Sequence, residues 1–190
     1  MNGKTDARIV KTMEKLKSSL LGLMKEHSID SISVTCLCKA AGINRNTFYA
    51  HYREPVDLLM EIENELLGEM MQTLGKLESV EVGNIYSFVI PILETITKNS
   101  DICQIILSDH GNRHFINKIV EMLKGPTTKA WVEKGLTEQE ADISYHYCVG
   151  GALSVIENWV KSGYETDAHT LGNMLGDLIE SGQIRNIRRY

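Results

Sequence analysis

Arg45 and Asn46 stand side by side in this 190-residue chain, and both carry planar groups that pair with base edges, guanidinium with guanine and carboxamide with adenine. Close by lie Thr35, Lys39, Thr47, Tyr49, His51 and Arg53, whose hydroxyl, imidazole and cationic groups suit phosphate oxygens. Phosphate contacts place a protein on a duplex, whereas base contacts choose the sequence. The chemistry offered is therefore reading rather than bond-making, with Arg45 and Asn46 as readers and the other six as positioners. Asn46 has an alternative role in helix-start geometry.

Catalytic chemistry needs a nucleophile or an acid–base constellation, and no convincing spacing supplies one. There is no Gly-rich phosphate loop and no paired-carboxylate motif. His110 and His114 are four apart, as two metal ligands on one helix face would be, but Gly111 and Asn112 between them argue against a helix. A surface helix start or a polar corner of a ligand pocket suits this pair better. His146 and Cys148 make no stronger metal case. No enzyme activity, metal or cofactor is expected.

The elements that must position the readers run from Ser33 to Tyr52, SVTCLCKAAGINRNTFYAHY. Ser33 is a good N-cap, and Val34, Leu37 and Cys38 give a short helix one apolar face. Ala40-Ala41-Gly42-Ile43 closes it, because Gly42 accepts a left-handed turn. Asn44 then caps a second helix from Arg45 to about His51, which Phe48 and Tyr52 hold against a core. Two short helices about a tight turn, with the polar one presented outward, make a helix-turn-helix.

The run V-x-x-L-x-x-A-A-G-I-N-R-N-T-F-Y-x-H-Y, followed by Asp57-Leu58-Leu59, resembles the DNA-binding domain of the TetR/AcrR family of bacterial transcriptional regulators. The likeness covers about Ile9 to Leu67. Beyond it, the chain is similar to the family in its all-helical layout and in a Tyr-rich, Trp-ending penultimate helix common in a Firmicute-type branch. The resemblance implies a cytoplasmic, palindrome-binding homodimer, usually a repressor, released by a small-molecule effector in the helical body. A coactivator, or an adapter for a protein partner without an effector, would carry the same head. It also implies phosphate-contacting roles for Thr47 and Tyr49. One departure stands out: where many relatives place a lysine at the start of the fourth helix, this chain has Pro55. That lysine's phosphate contact does not carry over, although the helix N-terminus still offers its positive dipole end, and Arg53 is the candidate substitute.

Charge is distributed to match. The chain carries −5 overall, yet residues 1–53 hold nine Lys/Arg against four Asp/Glu, a net of +5 that leaves −10 for the rest. A basic head on an acidic body directs one end to phosphate. No apolar run approaches the ~20 residues of a spanning helix and no secretory leader is visible, so a cytoplasmic protein without membrane contact is expected. Cys36, Cys38, Cys103 and Cys148 read as reduced, mostly buried thiols.

Apolar spacing predicts helices throughout and no strands. Ile9, Met13, Leu16, Leu20 and Leu23/Met24 define a first helix from Thr5 to about His27, with Lys4, Arg8, Lys11, Lys15 and Lys17 on its other faces. Ser28 to Ser33 is an ordered connector with two isoleucine anchors. Pro55 suits the first position of a helix reaching Leu74, the natural lever between head and body. A loop follows over Gly75–Gly83, then a helix from Asn84 kinked at Pro91, and a short one capped by Ser100. His110-Gly111-Asn112 marks a break before a helix that Gly125-Pro126 interrupts. Thr137 and Glu140 form a capping box for a helix through Val160, and Asp167 to Glu180 is the last, with a basic tail from Gln183 to Tyr190.

The expected fold is all-α with about nine helices, a three-helix head over 1–53 and an effector-binding and dimerisation bundle over 54–190. Phe88, His110, His114, Met122, Trp131, Tyr145 and Tyr147 are candidates to line a pocket, with ordinary core packing as the alternative for each. Val149, Ala152, Ile156, Trp159, Leu171, Leu175 and Leu178 are candidates for a dimer interface. Gly150, Gly151, Gly172 and Gly176 would let its helices approach closely. A dimer is also a physical requirement, because one short recognition helix makes too few base contacts for operator-level discrimination.

Overall fold

The computed structural model describes residues 3–75, 85–108 and 114–187. Among them all regular structure is helical: α1 (Gly3–Met24), a 3-10 turn (Ile29–Ser31), α2 (Val34–Ala41), α3 (Arg45–Tyr49), α4 (Pro55–Gly75), α5 (Tyr86–Lys98), α6 (Ser100–Ile106), α7 (His114–Glu133), α8 (Glu138–Lys161) and α9 (Ala168–Ile187). The expected Gly75–Gly83 loop past its first residue, and the break at His110-Gly111-Asn112, lie outside the described residues. No described helix is long and apolar enough to cross a membrane.

The chain forms two compact units, Met1–Leu67 with Gln104–Asn112 and Gly68–Cys103 with Arg113–Tyr190. In the first, Leu16, Leu20 and Met24 of α1 are fully buried, one every turn, and so are Leu37 of α2, Phe48 of α3 and Leu58 of α4. The connector is anchored as its spacing predicts, with Ile29 and Ile32 both buried.

In the second unit α5 packs along α9, and α7 along α8. Trp131, Leu136, Ala141, Tyr145, Cys148 and Ile179 form one core cluster, in which the Tyr145 hydroxyl donates to the carbonyl of Val120 at 2.5 Å. α8 starts as its capping box dictates: the Thr137 side chain accepts from the Glu140 N–H, and the Glu140 carboxylate accepts from the Thr137 N–H at 2.8 Å.

Three local expectations change. α7 runs unbroken through Gly125-Pro126. A mid-helix proline costs about 3 kcal/mol, and the buried anchors Phe115 and Trp131 on either side supply enough packing to outweigh it. α9 continues to Ile187, past the expected end at Glu180. Gly172 and Gly176 face α5 inside the chain rather than α8 or a mate: a Cβ on Gly172 would come within 2.5 Å of Ile90 Cγ1, and one on Gly176 would strike the Tyr86 ring. These two glycines permit the α5–α9 seam.

Candidate nucleic-acid interface

α2 and α3 are built as the residues require. The Ser33 hydroxyl accepts from the Cys36 N–H at 3.2 Å to open α2, and Gly42 ends it at φ +66°, with the Ile43 N–H returning to the Cys38 carbonyl at 3.0 Å. The Asn44 carboxamide oxygen accepts from the Asn46 N–H at 2.9 Å, so Asn44 performs the helix start and the Asn46 side chain stays exposed. Phe48 is fully buried and packs edge-on against Tyr49 and tilted against Tyr52, with centroids 5.8 and 5.5 Å apart.

One buried ring thus holds α3 from beneath while its polar residues face away. Thr35, Lys39, Arg45, Asn46, Thr47, Tyr49, His51 and Arg53 are all exposed, Tyr49 at 58% despite its size. Arg8, Lys11 and Lys15 of α1 are exposed as well. Lys17 is not part of that basic surface. Its ammonium lies 2.8 Å from Glu61 Oε1 and 2.6 Å from Glu65 Oε1 on α4. Partial burial opposes its charge, but the two carboxylates outweigh that and raise its pKa above the ordinary lysine value.

The start of α4 also differs from the simplest expectation. The Asp57 carboxylate accepts from the backbone N–H groups of Arg53 and Glu54, at 2.8 and 3.0 Å. With Pro55 lacking a donor at the first position, the helix dipole is answered from within the chain, and Arg53 is left as the exposed cation at this corner.

The second unit carries the other candidates. Trp131 and Tyr145 are buried with ring centroids 6.5 Å apart, and Met122 is half-buried. Phe88, His114 and Tyr147 are exposed, Tyr147 at 78%, so the structure does not gather the set around one cavity, and His110 lies outside the described residues. An open groove of about 540 Å³ is lined by Thr128, Lys129, Val132, Glu133, Glu138 and Asp142, none of which was a sequence candidate. Among the described residues no three His, Cys, Asp or Glu side chains group as metal ligands.

Of the proposed interface residues, Trp159, Leu171 and Leu175 are buried inside the chain, where the Trp159 indole N–H donates to the Thr166 carbonyl at 2.6 Å. Their apolar area is already covered within the chain. Val149, Ala152 and Ile156 are half-buried, and Leu178 is 66% exposed. The exposed apolar positions are Ile143, Tyr147 and Val155 on α8 and Met174 with Leu178 on α9. On α8 they follow the 3.6-residue period through Gly150 and Gly151, both exposed and with open space at the Cβ position.

The TetR_C_8 family model, "Transcriptional regulator C-terminal region", matches residues 83–181, just over half the chain. The chain belongs to the TetR family of transcriptional regulators. Its fold is that of solved TetR proteins, and the family's helix-turn-helix makes it a DNA-binding regulator. A TetR transcriptional regulator from Streptococcus agalactiae 2603V matches at a TM-score of 0.69 and 18% identity, over 94% of this chain and 99% of that one. NalD, the secondary repressor of the MexAB-OprM multidrug efflux pump in Pseudomonas aeruginosa, matches at 0.67 and 18%, over 94% and 97%. The dihydroxyacetone kinase operon activator DhaS matches at 0.59 and 15%, over 92% and 97%. No curated protein sequence matches the chain significantly.

The sequence assigned no role to Glu61 and Glu65 in this TetR head, and it marked Asp57 only as part of the motif, not as the cap of α4. A signal was present for the first two: carboxylates four apart on a helix share a face, and that face needs a cation once it turns inward.

Proposed function

We propose that this TetR-family protein is a homodimeric repressor that binds a palindromic operator and is released by a small molecule held in its helical body. Residues 1–53 contact DNA, and residues 54–190 bind the effector and the mate. The observation that carries the reading is a set of eight exposed polar or aromatic residues, six on α2 and α3 with His51 and Arg53 just after them, presented over a fully buried Phe48. Arg45 and Asn46 read bases; Thr35, Lys39, Thr47, Tyr49, His51 and Arg53 hold phosphate. α4 belongs to both units and carries the effector signal between them.

The mate covers Ile143, Tyr147, Val155, Met174 and Leu178. Gly150 and Gly151 support that assignment. Each costs a helix interior about 1 kcal/mol relative to alanine, and neither has a neighbour within its own chain to explain it.

Binding to duplex from the gene's own promoter region tests the DNA reading. Arg45→Ala should weaken binding and relax preference at one base position by about 1–3 kcal/mol, while Tyr49→Phe should weaken all sequences alike. A wild-type protein that prefers no promoter fragment over random duplex would refute it. Transcription from the preferred fragment, with and without the protein, then gives the sign of regulation.

A further inference from the structure

Phe48 holds α3 onto the head through an apolar contact, which resists separation but has no preferred direction within the plane of contact. Base readout needs more, because a bidentate hydrogen bond fails when its donors are displaced by a fraction of an ångström. The direction comes from a polar chain immediately behind the recognition helix. Tyr52, three residues past the end of α3, is 7% exposed, and its ring packs on Phe48. Its hydroxyl donates to Glu61 Oε2 at 2.9 Å and lies 3.3 Å from the Met13 sulfur. The other oxygen of the same carboxylate takes the Lys17 ammonium at 2.8 Å, and Lys17 reaches Glu65 at 2.6 Å.

One carboxylate therefore ties three parts of the head together: α1 through Lys17, α4 through its own backbone, and the recognition segment through Tyr52. The energetics of the pieces are consistent with a specific purpose. Lys17 is withdrawn from a surface where a cation would meet phosphate, and the phenol is placed against a charge rather than in water. Hydrogen bonds to charged groups are the stronger and more directional kind, and a fully satisfied network selects one arrangement of the helices that share it.

We propose that Tyr52, Glu61 and Lys17 form a positioning network that sets the recognition helix in register for base contact, so that sequence discrimination depends on it while phosphate affinity does not. This rests on the DNA-binding reading above. Tyr52 and Glu61 touch no base; they act through Arg45 and Asn46.

The test uses full-length protein and two near-isosteric variants, Tyr52→Phe and Glu61→Gln. A duplex selected by wild type from a random-sequence pool is the specific probe, and an unselected duplex of equal length is the nonspecific one. Each variant should bind the selected duplex about tenfold more weakly, the scale of one hydrogen bond to a charge, with affinity for unselected duplex within about twofold and an unchanged salt slope. A merely structural role would lower both affinities together, or neither, and either pattern overturns the proposal. Circular dichroism melting accompanies the assay: if Tyr52→Phe unfolds, Glu61→Gln decides, and if both unfold below assay temperature the network supports the fold and the proposal is lost. A wild type that selects no duplex at all removes the DNA reading itself, a different result from loss in the variants alone.

Discussion

Replacing Gly172 by alanine isolates the contact on which α5 and α9 depend. Mid-helix Gly→Ala ordinarily stabilises by about 1 kcal/mol, because alanine has less backbone freedom to lose. At this position the added Cβ would lie 2.5 Å from Ile90 Cγ1, 3.3 Å from its Cα and 3.4 Å from its Cβ. Rotating the isoleucine relieves the first contact only by moving its second branch, and the Cα cannot rotate away at all, so the two helices must part by a few tenths of an ångström. That separation is felt one turn further on, where the Tyr86 ring covers Gly176 and its hydroxyl donates to Asp177 at 2.6 Å. Overpacking costs about 1–3 kcal/mol, and a contact this short backed by main chain belongs in the upper part of that range, about 2–3 kcal/mol, so after the propensity gain a net loss of about 1–2 kcal/mol is expected. For a chain of this length that lowers the melting temperature by about 2–8 °C, read by circular dichroism at fixed protein concentration. Gly68→Ala is the control. It too is mid-helix, but exposed and with nothing within 4 Å of its Cβ position, so it should melt about 2–4 °C higher. If Gly172→Ala melts with or above the wild type, as Gly68→Ala should, the packing argument is wrong.

Two further outcomes follow from the arrangement of α8, α9 and the head. Leu178→Asp puts a charge into the proposed mate-facing strip and should convert a dimer to a monomer in sedimentation velocity, with the circular dichroism spectrum retained; an unchanged mass would place the interface elsewhere. Acid should release the Glu61 network: burial opposes the charge of Glu61, but hydrogen bonds from Lys17 and Tyr52 outweigh it and hold its pKa below the ordinary 4.5. A depressed carboxyl contributes stability that is full above that value and is lost as pH falls through the folded one, so denaturant melts of Glu61→Gln should change less than wild type as pH falls through and below 4.5. Equal pH slopes would remove the charge from the account.

What the sequence disclosed most fully was set within a few residues. Ser33, Asn44 and the Thr137/Glu140 box each act on a neighbour three or fewer positions away in their capping bonds, and the turn at Gly42 closes on carbonyls no more than five residues back; such contacts do not depend on where the chain goes next. The reader helix benefits from the same locality. Five residues long, with one buried ring, it leaves few choices about which side faces outward.

Longer helices carry more than one apolar face, and a period alone does not say which of them meets the chain and which meets a partner. α9 illustrates the difficulty. Leu171, Leu175 and Leu178 belong to one sequence pattern, yet the first two are buried within the chain and the third is 66% exposed, because a three-residue step turns the helix about 60° short of a full revolution. The glycines resolve it only in the fold. Gly172 and Gly176 sit against α5, Gly150 and Gly151 against open space, and the identical residue type marks an internal seam in α9 and an unpartnered face in α8. Polar pairing follows the same logic: Lys17 looks like its exposed neighbours in composition, and only the return of α4 with Glu61 and Glu65 one turn apart turns it inward.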